Sequence, residues 1–181
     1  MRELIRGFVY RLMGRMTLDD LIKRGLKIGS NCVIQHDVMI DDSHCWLITI
    51  GCNVGFAPGV KVLAHDGSLK KYLGYTRIGK VVIEDNVFIG AGSIVLPNVR
   101  IGANSIIGAG SVVSRDIPPN MVAAGNPIKV IKKLDEFLDM HRQQMTRFPC
   151  FGVEYTLDGN VTSERKEEMN NRMVEGQGYV V

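Results

Sequence analysis

Aliphatic residues recur every six positions in three blocks of this chain. A period of six fits neither the helix, which repeats about every 3.6 residues, nor the half-buried strand, which repeats about every 2. It is typical of a β-solenoid made of hexapeptide turns, in which three hexads form one triangular coil of about eighteen residues. The pattern therefore predicts an all-β fold, a parallel β-helix. The apolar hexad positions are Ile28, Ile34, Ile40, Ile50, Phe56, Val62, Ile83, Ile89, Val95, Ile101, Ile107 and Val113.

Two interruptions break this repeat. Four extra residues, 46–49, separate the hexad at Ile40 from the hexad at Ile50, and a longer insertion, 66–80, precedes Ile83. Because a solenoid buries its core only by repeating, each break needs a reason other than packing. Insertions in solenoids usually lie on a binding face. We therefore expect the functional site where these two insertions meet.

Helical segments are predicted on both sides of the repeats. Residues 1–26 are interpreted as two helices, the second beginning at Thr17 with Asp20 in a capping box and Gly25 at its end. Prolines end the hexads after Val113, and further helices are predicted over 132–147 and 163–175. The expected organisation is an N-terminal helical segment (1–26), a β-helix domain (27–131) and a C-terminal helical extension (132–181).

The first N-terminal helix is predicted to be amphipathic. Apolar residues from Leu4 to Met16 recur at helical spacing against Arg2, Arg6, Arg11 and Arg15. We expect the helix to pack within an oligomer of this chain. Peripheral contact with an anionic membrane surface is the alternative.

Composition excludes several classes of function. The chain has 181 residues, a formal net charge of +3 and four cysteines without a metal-binding spacing. So mild a charge gives no support for nucleic-acid binding, and such cysteines are typical of a reduced, cytoplasmic protein. The apolar runs are too short for a transmembrane segment, and signal-peptide features are missing from the N-terminus. We therefore expect a cytoplasmic protein without metal, nucleic acid or transmembrane segment.

Counting the hexads of each coil predicts that several polar residues lie at one corner of the solenoid. The hexads at Ile40 and Val62 are the third sides of successive coils, so they stack about 4.8 Å apart. This places Asp41, Asp42 and His44 close to His65 and Asp66. A histidine can take a proton from an alcohol near neutral pH and return it to a leaving group. His65 is therefore the candidate general base, against the alternative of a solvated loop histidine.

The same residues resemble a known family. The hexads, the segment Ala64-His65-Asp66 before an insertion, residues 82–90 (VIEDNVFIG) and residues 123–127 (AAGNP) resemble the hexapeptide-repeat acyltransferases, above all the maltose, galactoside and polysaccharide O-acetyltransferases. The resemblance covers residues 28–132. It implies a left-handed parallel β-helix, a homotrimer with active sites between subunits, and acetyl transfer from acetyl-CoA to a hydroxyl of a sugar or glycan precursor.

The resemblance also implies roles for individual residues. His65 would deprotonate the acceptor hydroxyl, which attacks the thioester directly, and Asp66 is a candidate to orient the imidazole. The predicted acceptor-binding residues are Asp41, Asp42, His44, Trp46, Asp66 and Tyr72. The predicted acetyl-CoA-binding residues are Ala91 and Ala109 along the pantetheine, then Ser114 and Arg115, with Lys129 and Lys132 near the phosphates.

Three other functions fit this fold less well. A γ-class carbonic anhydrase needs three zinc-binding histidines, but no histidine occurs between His65 and His141. A non-catalytic hexapeptide scaffold has no need for His65, the insertion and the terminal lysines together. An acetyltransferase for antibiotics of the chloramphenicol or streptogramin type stays open as an alternative acceptor class.

Overall fold

A computed structural model describes residues 16–181 of the chain. The amphipathic helix predicted from Leu4 onward lies outside these residues, apart from its last position. The hexads form short parallel strands in three sheets, one for each side of the coil. Sheet A contains, in spatial order, β1 (Lys27–Ile28), β4 (Ile48–Ile50), β9 (Val81–Ile83) and β12 (Val99–Ile101).

The two other sides complete the triangle. Sheet B runs in the order β2 (Val33–Ile34), β5 (Gly55–Phe56), β10 (Phe88–Ile89), β13 (Ile106–Ile107), β15 (Met121–Ala124) and β16 (Lys129–Lys133). Sheet C runs in the order β3 (Met39–Ile40), β6 (Lys61–Val62), β11 (Ile94–Val95) and β14 (Val112–Val113). All neighbours are parallel except β15 and β16.

Strand register follows the hexads. Ile28 pairs with Ile50, Ile50 with Ile83 and Ile83 with Ile101, so one apolar position of each coil lies above the next. From Ile50 upward these side chains are at most 2% exposed. The parallel solenoid predicted from the six-residue period is confirmed, including the stacking of the hexads at Ile40 and Val62.

Serine occupies three fifth positions of the hexads and is fully buried there. The hydroxyl of Ser93 donates to the carbonyl of Gly108 at 3.0 Å, and that of Ser105 donates to the carbonyl of Pro118 at 3.0 Å. The hydroxyl of Ser111 donates to the carbonyl of Gly108 in its own coil, so burial leaves none of the three hydroxyls unpaired.

Asparagines stack along the corner between sheets A and B. Asn53, Asn86, Asn104 and Asn120 all have φ between +56° and +59°. Their amides form a ladder in which each Nδ2 donates to the next Oδ1, at 3.0, 2.9 and 2.9 Å. Asparagine tolerates the left-handed turn and also pairs with its neighbour, which explains this residue type at the corner.

Helix α1 (Leu18–Lys23) precedes the first coil. Thr17 and Asp20 form the predicted capping box, and Gly25 follows the helix with φ +106°. Leu21 and Leu26 belong to the same buried core as the hexads. The second predicted N-terminal helix is therefore confirmed, and it contributes apolar side chains to the solenoid core.

The long insertion forms a hairpin. Strands β7 (His65–Asp66) and β8 (Arg77–Ile78) pair antiparallel, and helix α2 (Lys70–Leu73) lies between them. Gly74 ends this helix with φ +75°, a conformation that costs glycine little. His65 thus lies in a strand that joins the last residues of the second coil to the insertion.

Residues 135–181 form a second compact unit. Helix α3 (Leu134–Met145) enters it, followed by β17 (Cys150–Phe151), helix α4 (Ser163–Arg172) and β18 (Tyr179–Val180), the two strands being parallel. The helix predicted over 132–147 starts later because residues 132–133 still pair with β15. Each helix in the described part of the chain is too short or too polar to cross a membrane.

Candidate active site

A buried carboxylate organises the corner after sheet C. Asp41 follows β3 directly and is 4% exposed. Its Oδ1 atom accepts from the N–H groups of Ser43 (3.0 Å) and His44 (3.1 Å), and its Oδ2 atom accepts from the N–H of Ala64 (2.8 Å). Oδ2 also lies 2.5 Å from Nδ1 of His65. The carboxylate therefore links the loop that ends the first coil, through Ser43 and His44, to the end of the second coil, through Ala64 and His65.

These contacts keep Asp41 ionised. Burial on its own would raise the pKa of this carboxyl, but hydrogen bonds from Ala64, His65 and His44 outweigh burial, so the pKa lies below its ordinary value. An ionised carboxylate can only accept hydrogen bonds. The bonding pattern thus assigns the proton of neutral His65 to Nδ1 and leaves a lone pair on Nε2.

The side chain of His65 remains reachable from solvent. It is 36% exposed, whereas that of Asp41 is fully buried. A partly exposed imidazole whose Nδ1 is held by a buried carboxylate is suited to general base catalysis. The carboxylate sets the tautomer and stabilises the imidazolium.

His44 and Trp46 line the same corner. The His44 ring centroid lies 5.2 Å from that of His65 and 5.3 Å from that of Trp46. The Nδ1 atom of His44 is buried without a hydrogen-bond partner in the described structure, and Trp46 is 52% exposed. The short 3₁₀ turn Cys45–Leu47 follows His44 directly, so the His44 ring lies between those of His65 and Trp46.

Asp41, His44 and His65 offer donor atoms that could hold a metal ion. These atoms lie within 4.8 Å of one another. Both oxygens of Asp41 already accept two hydrogen bonds each, however, and one of these bonds faces Nδ1 of His65. A cation there would compete with these bonds, and an acid–base role for His65 requires none.

The structure changes the roles expected for two aspartates. Asp41, predicted to contact the acceptor, is instead buried, with its Oδ2 atom 2.5 Å from Nδ1 of His65. Asp66, the candidate for orienting the imidazole, accepts from the N–H of Ser68 at 2.9 Å and pairs with Arg77 at 3.3 Å. The Ser68 hydrogen bond contributes most to lowering the pKa of Asp66. Successive side chains of an extended strand point in opposite directions, which separates Asp66 from the imidazole.

Two other predicted acceptor residues, Asp42 and Tyr72, are exposed. Asp42 follows Asp41 on the exposed side of the loop, and the guanidinium of Arg24 donates to its carbonyl at 3.2 Å. Tyr72, in helix α2 of the hairpin, is 78% exposed. Both remain candidates for contact with an acceptor.

The predicted acetyl-CoA residues occupy two edges of sheet C and the last strand of sheet B. Ala91 and Ala109 are exposed and stacked at the corner between sheets B and C, where the N–H of Gly110 donates to the Ala91 carbonyl at 2.8 Å. Ser114 and Arg115 follow β14 at the corner that carries His65. Lys129 and Lys132 belong to β16. One chain thus does not gather these residues into a single pocket.

The fold and the site define a hexapeptide solenoid with a carboxylate–histidine pair at one corner. The family model "Bacterial transferase hexapeptide (six repeats)" matches residues 80–115. The galactoside O-acetyltransferase of Lactococcus lactis is 46% identical over 103 residues, which cover 54% of this chain and 47% of the relative. Protein CapG of Staphylococcus aureus is 40% identical over 133 residues, which cover 70% of this chain and 77% of CapG.

A solved structure shares the solenoid. The hexapeptide-repeat acetyltransferase VCA0836 of Vibrio cholerae, complexed with acetyl-CoA, has a TM-score of 0.55 and 31% identity, covering 61% of each chain. The present chain spans about half the length of the first curated relatives it matches, with 56% and 47% of them covered. A galactoside acetyltransferase solved in complex with coenzyme A is 31% identical, with a TM-score of 0.52, and 66% of this chain and 70% of that chain are covered. The chain belongs to the hexapeptide-repeat acetyltransferases, in the branch that includes the galactoside O-acetyltransferases.

Proposed function

We propose that this chain is an acetyl-CoA-dependent O-acetyltransferase that acetylates a hydroxyl of a sugar or glycan precursor. The observation that carries the proposal is the 2.5 Å contact between Nδ1 of His65 and Asp41, which leaves Nε2 to accept a proton. Family membership supports the reaction class, since the relative from Lactococcus lactis is a galactoside O-acetyltransferase and the structure from Vibrio cholerae holds acetyl-CoA.

The proposed reaction needs one base and no acyl-enzyme. Nε2 of His65 takes the proton of the acceptor hydroxyl while the oxygen attacks the carbonyl carbon of the thioester. The C–S bond then breaks, and the imidazolium returns the proton to the CoA sulfur. Asp41 stabilises the imidazolium between these two steps, because its buried carboxylate is within hydrogen-bond distance.

We propose that the acceptor and acetyl-CoA are bound by different sets of residues. His44, Trp46 and the hairpin residue Tyr72 would bind the sugar, since aromatic rings can cover the apolar face of a pyranose. Ala91, Ala109, Ser114, Arg115, Lys129 and Lys132 would bind acetyl-CoA. The use of acetyl-CoA as donor is consistent with a reaction in the cytoplasm.

The solenoid is proposed to be left-handed and the assembly a homotrimer. The resemblance to the family supports both features, and a trimer would explain why the predicted acetyl-CoA residues lie at two edges of sheet C and on the last strand of sheet B. A groove between two subunits can combine one edge of each.

Release of the CoA thiol in the presence of candidate acceptors tests the function. We expect acetyl-CoA to be consumed with galactosides, maltose or nucleotide sugars, and His65→Ala to abolish most of this turnover. His141→Gln, which changes a histidine of the second unit, serves as the matched control. Transfer to chloramphenicol or a streptogramin in place of sugars, or equal turnover of wild type and His65→Ala, would contradict the proposal.

A further inference from the structure

The hairpin insertion carries a concentrated positive charge. Residues 66–80 contain four basic residues, Lys70, Lys71, Arg77 and Lys80, and one acidic residue, Asp66, which gives a formal charge of +3. All four basic side chains are exposed.

Strand pairing fixes the two ends of this insertion beside the proposed base. His65 pairs with Ile78 and Asp66 pairs with Arg77 in the antiparallel register of β7 and β8. The N–H of Gly79 donates to the carbonyl of Ala64 at 3.0 Å, which holds the returning strand against the second coil. The cations therefore lie on a segment whose two ends are bonded around His65.

Acidic groups at the corner do not cancel the positive charge. Asp41 is buried and its oxygens are occupied, while Asp66 pairs with Arg77 at 3.3 Å. Asp42 is exposed and its carboxylate keeps its charge, because the guanidinium of Arg24 donates to its backbone carbonyl. Three aspartates against the four basic residues of the insertion still leave this corner with a formal charge of +1.

We propose that the acceptor is an anionic sugar, whose carboxylate or phosphate is bound by Lys70 and Lys71 while one of its hydroxyls lies at His65. This inference rests on the proposed acetyl transfer and adds a substrate class to it. Lysine ammonium groups form charge-assisted hydrogen bonds with both anions. Because the lysines are exposed, their contribution depends on ionic strength.

Matched pairs of neutral and anionic acceptors test the inference. Galactose is compared with galacturonate and glucose with glucose 1-phosphate, each by kcat/KM at low and at high salt. We expect the wild-type protein to prefer the anionic member of at least one pair by roughly tenfold at low salt, and the preference to shrink at high salt. Which pair shows it distinguishes a carboxylate from a phosphate.

A double variant identifies the cations. In Lys70→Gln/Lys71→Gln the ratio of kcat/KM for the anionic and the neutral sugar should fall roughly tenfold, and KM for acetyl-CoA should stay within about twofold. Lys27→Gln/Lys166→Gln removes the same charge from exposed positions elsewhere and should leave the ratio unchanged.

Three results would overturn the inference in distinguishable ways. Equal use of the neutral and anionic sugars would refute it while leaving the acetyltransferase intact. A higher KM for acetyl-CoA in the Lys70→Gln/Lys71→Gln variant would show that the two lysines bind the donor instead. No transfer to any of the four sugars would count against the sugar O-acetyltransferase function itself, and this inference would fall with it.

Discussion

The Nδ1 atom of His65 lies 2.5 Å from Oδ2 of Asp41, although 24 positions separate the two residues. The contact arises because the hexads at Ile40 and Val62 pair in register, which brings the residues that follow them to one corner. A carboxylate buried at 4% exposure then determines which nitrogen of the histidine can act as a base. The proposed chemistry thus follows from the solenoid's six-residue period.

Replacing His65 by Ala should lower kcat by roughly 10²–10⁴, the contribution of a positioned general base. Asp41→Asn should lower kcat too, because an amide NH₂ facing Nδ1 would place the histidine proton on Nε2, the wrong tautomer. Steady-state rates with saturating acceptor measure both effects, and KM for acetyl-CoA should change little. A His65→Ala variant with wild-type kcat would exclude His65 as the base.

Asp41 should also contribute to stability in a pH-dependent way. Its folded-state pKa is lowered, so its contribution is complete above the ordinary carboxyl pKa of about 4 and is lost as pH falls through the lower folded value. Urea midpoints of wild type and Asp41→Asn should therefore differ most at neutral pH and converge in acid. Asp42→Asn, at the exposed neighbour, should behave like wild type. A difference that is constant with pH would contradict this assignment.

Much of the solenoid could be predicted from the sequence because its period is regular. Ile28, Ile50, Ile83 and Ile101 recur at one position of each coil, and strand register follows from that recurrence alone. The hairpin and the β17–β18 pair could not be predicted, since residues 66–80 and 150–180 carry no hexads and depend on contacts distant in sequence.

The convergence of the candidate residues could be predicted from the sequence, but not all of their contacts. Coil stacking brings Asp41 and His44 to His65, as expected. The burial of Asp41 could not be predicted, since it depends on two loop N–H groups, those of Ser43 and His44, turning toward Oδ1. The sequence did indicate that Asp41 lies close to Ala64. Ile40 pairs with Val62, so Asp41, the residue after Ile40, lies near the residues that follow Val62, and its carboxylate accepts from the N–H of Ala64.

Replacing Lys129 and Lys132 together by Ala should weaken acetyl-CoA binding. Lysines near phosphates form charge-assisted contacts, so the loss should reach roughly 3- to 30-fold at low salt and decrease as salt is added. Isothermal titration at two ionic strengths measures it. The variant Lys27→Ala/Lys166→Ala controls for net charge. Equal affinity of wild type and the Lys129/Lys132 variant at low salt would make these two lysines ordinary surface charges.

The chain should assemble as a trimer. Apolar side chains remain exposed on the outer faces of sheets B and C, with Val33 at 57%, Met39 at 43% and Phe88 at 49%. Such side chains on flat sheets mark an interaction surface. Light scattering at micromolar concentration should give three times the chain mass of 20.1 kDa. Phe88→Glu should weaken the assembly, and a wild-type monomer would refute the trimer.

Deleting residues 68–76 should abolish acetyl transfer to sugars and leave acetyl-CoA binding largely intact. The deletion removes helix α2, with Tyr72 at 78% exposure, and Tyr75 at 80%, but keeps the paired strands β7 and β8. A short Gly-Ser link can join Gly67 to Arg77, so His65 should stay bonded to Asp41.

The control for this deletion is the double variant Tyr72→Ala/Tyr75→Ala, which keeps the backbone of the hairpin. If the rings cover the acceptor, this variant should raise KM for the sugar several-fold with the fold unchanged, since stacking on a sugar ring depends on the aromatic face. Loss of acetyl-CoA binding together with transfer in the deletion would show that the hairpin supports the coil. Full transfer without residues 68–76 would place the acceptor elsewhere on the solenoid.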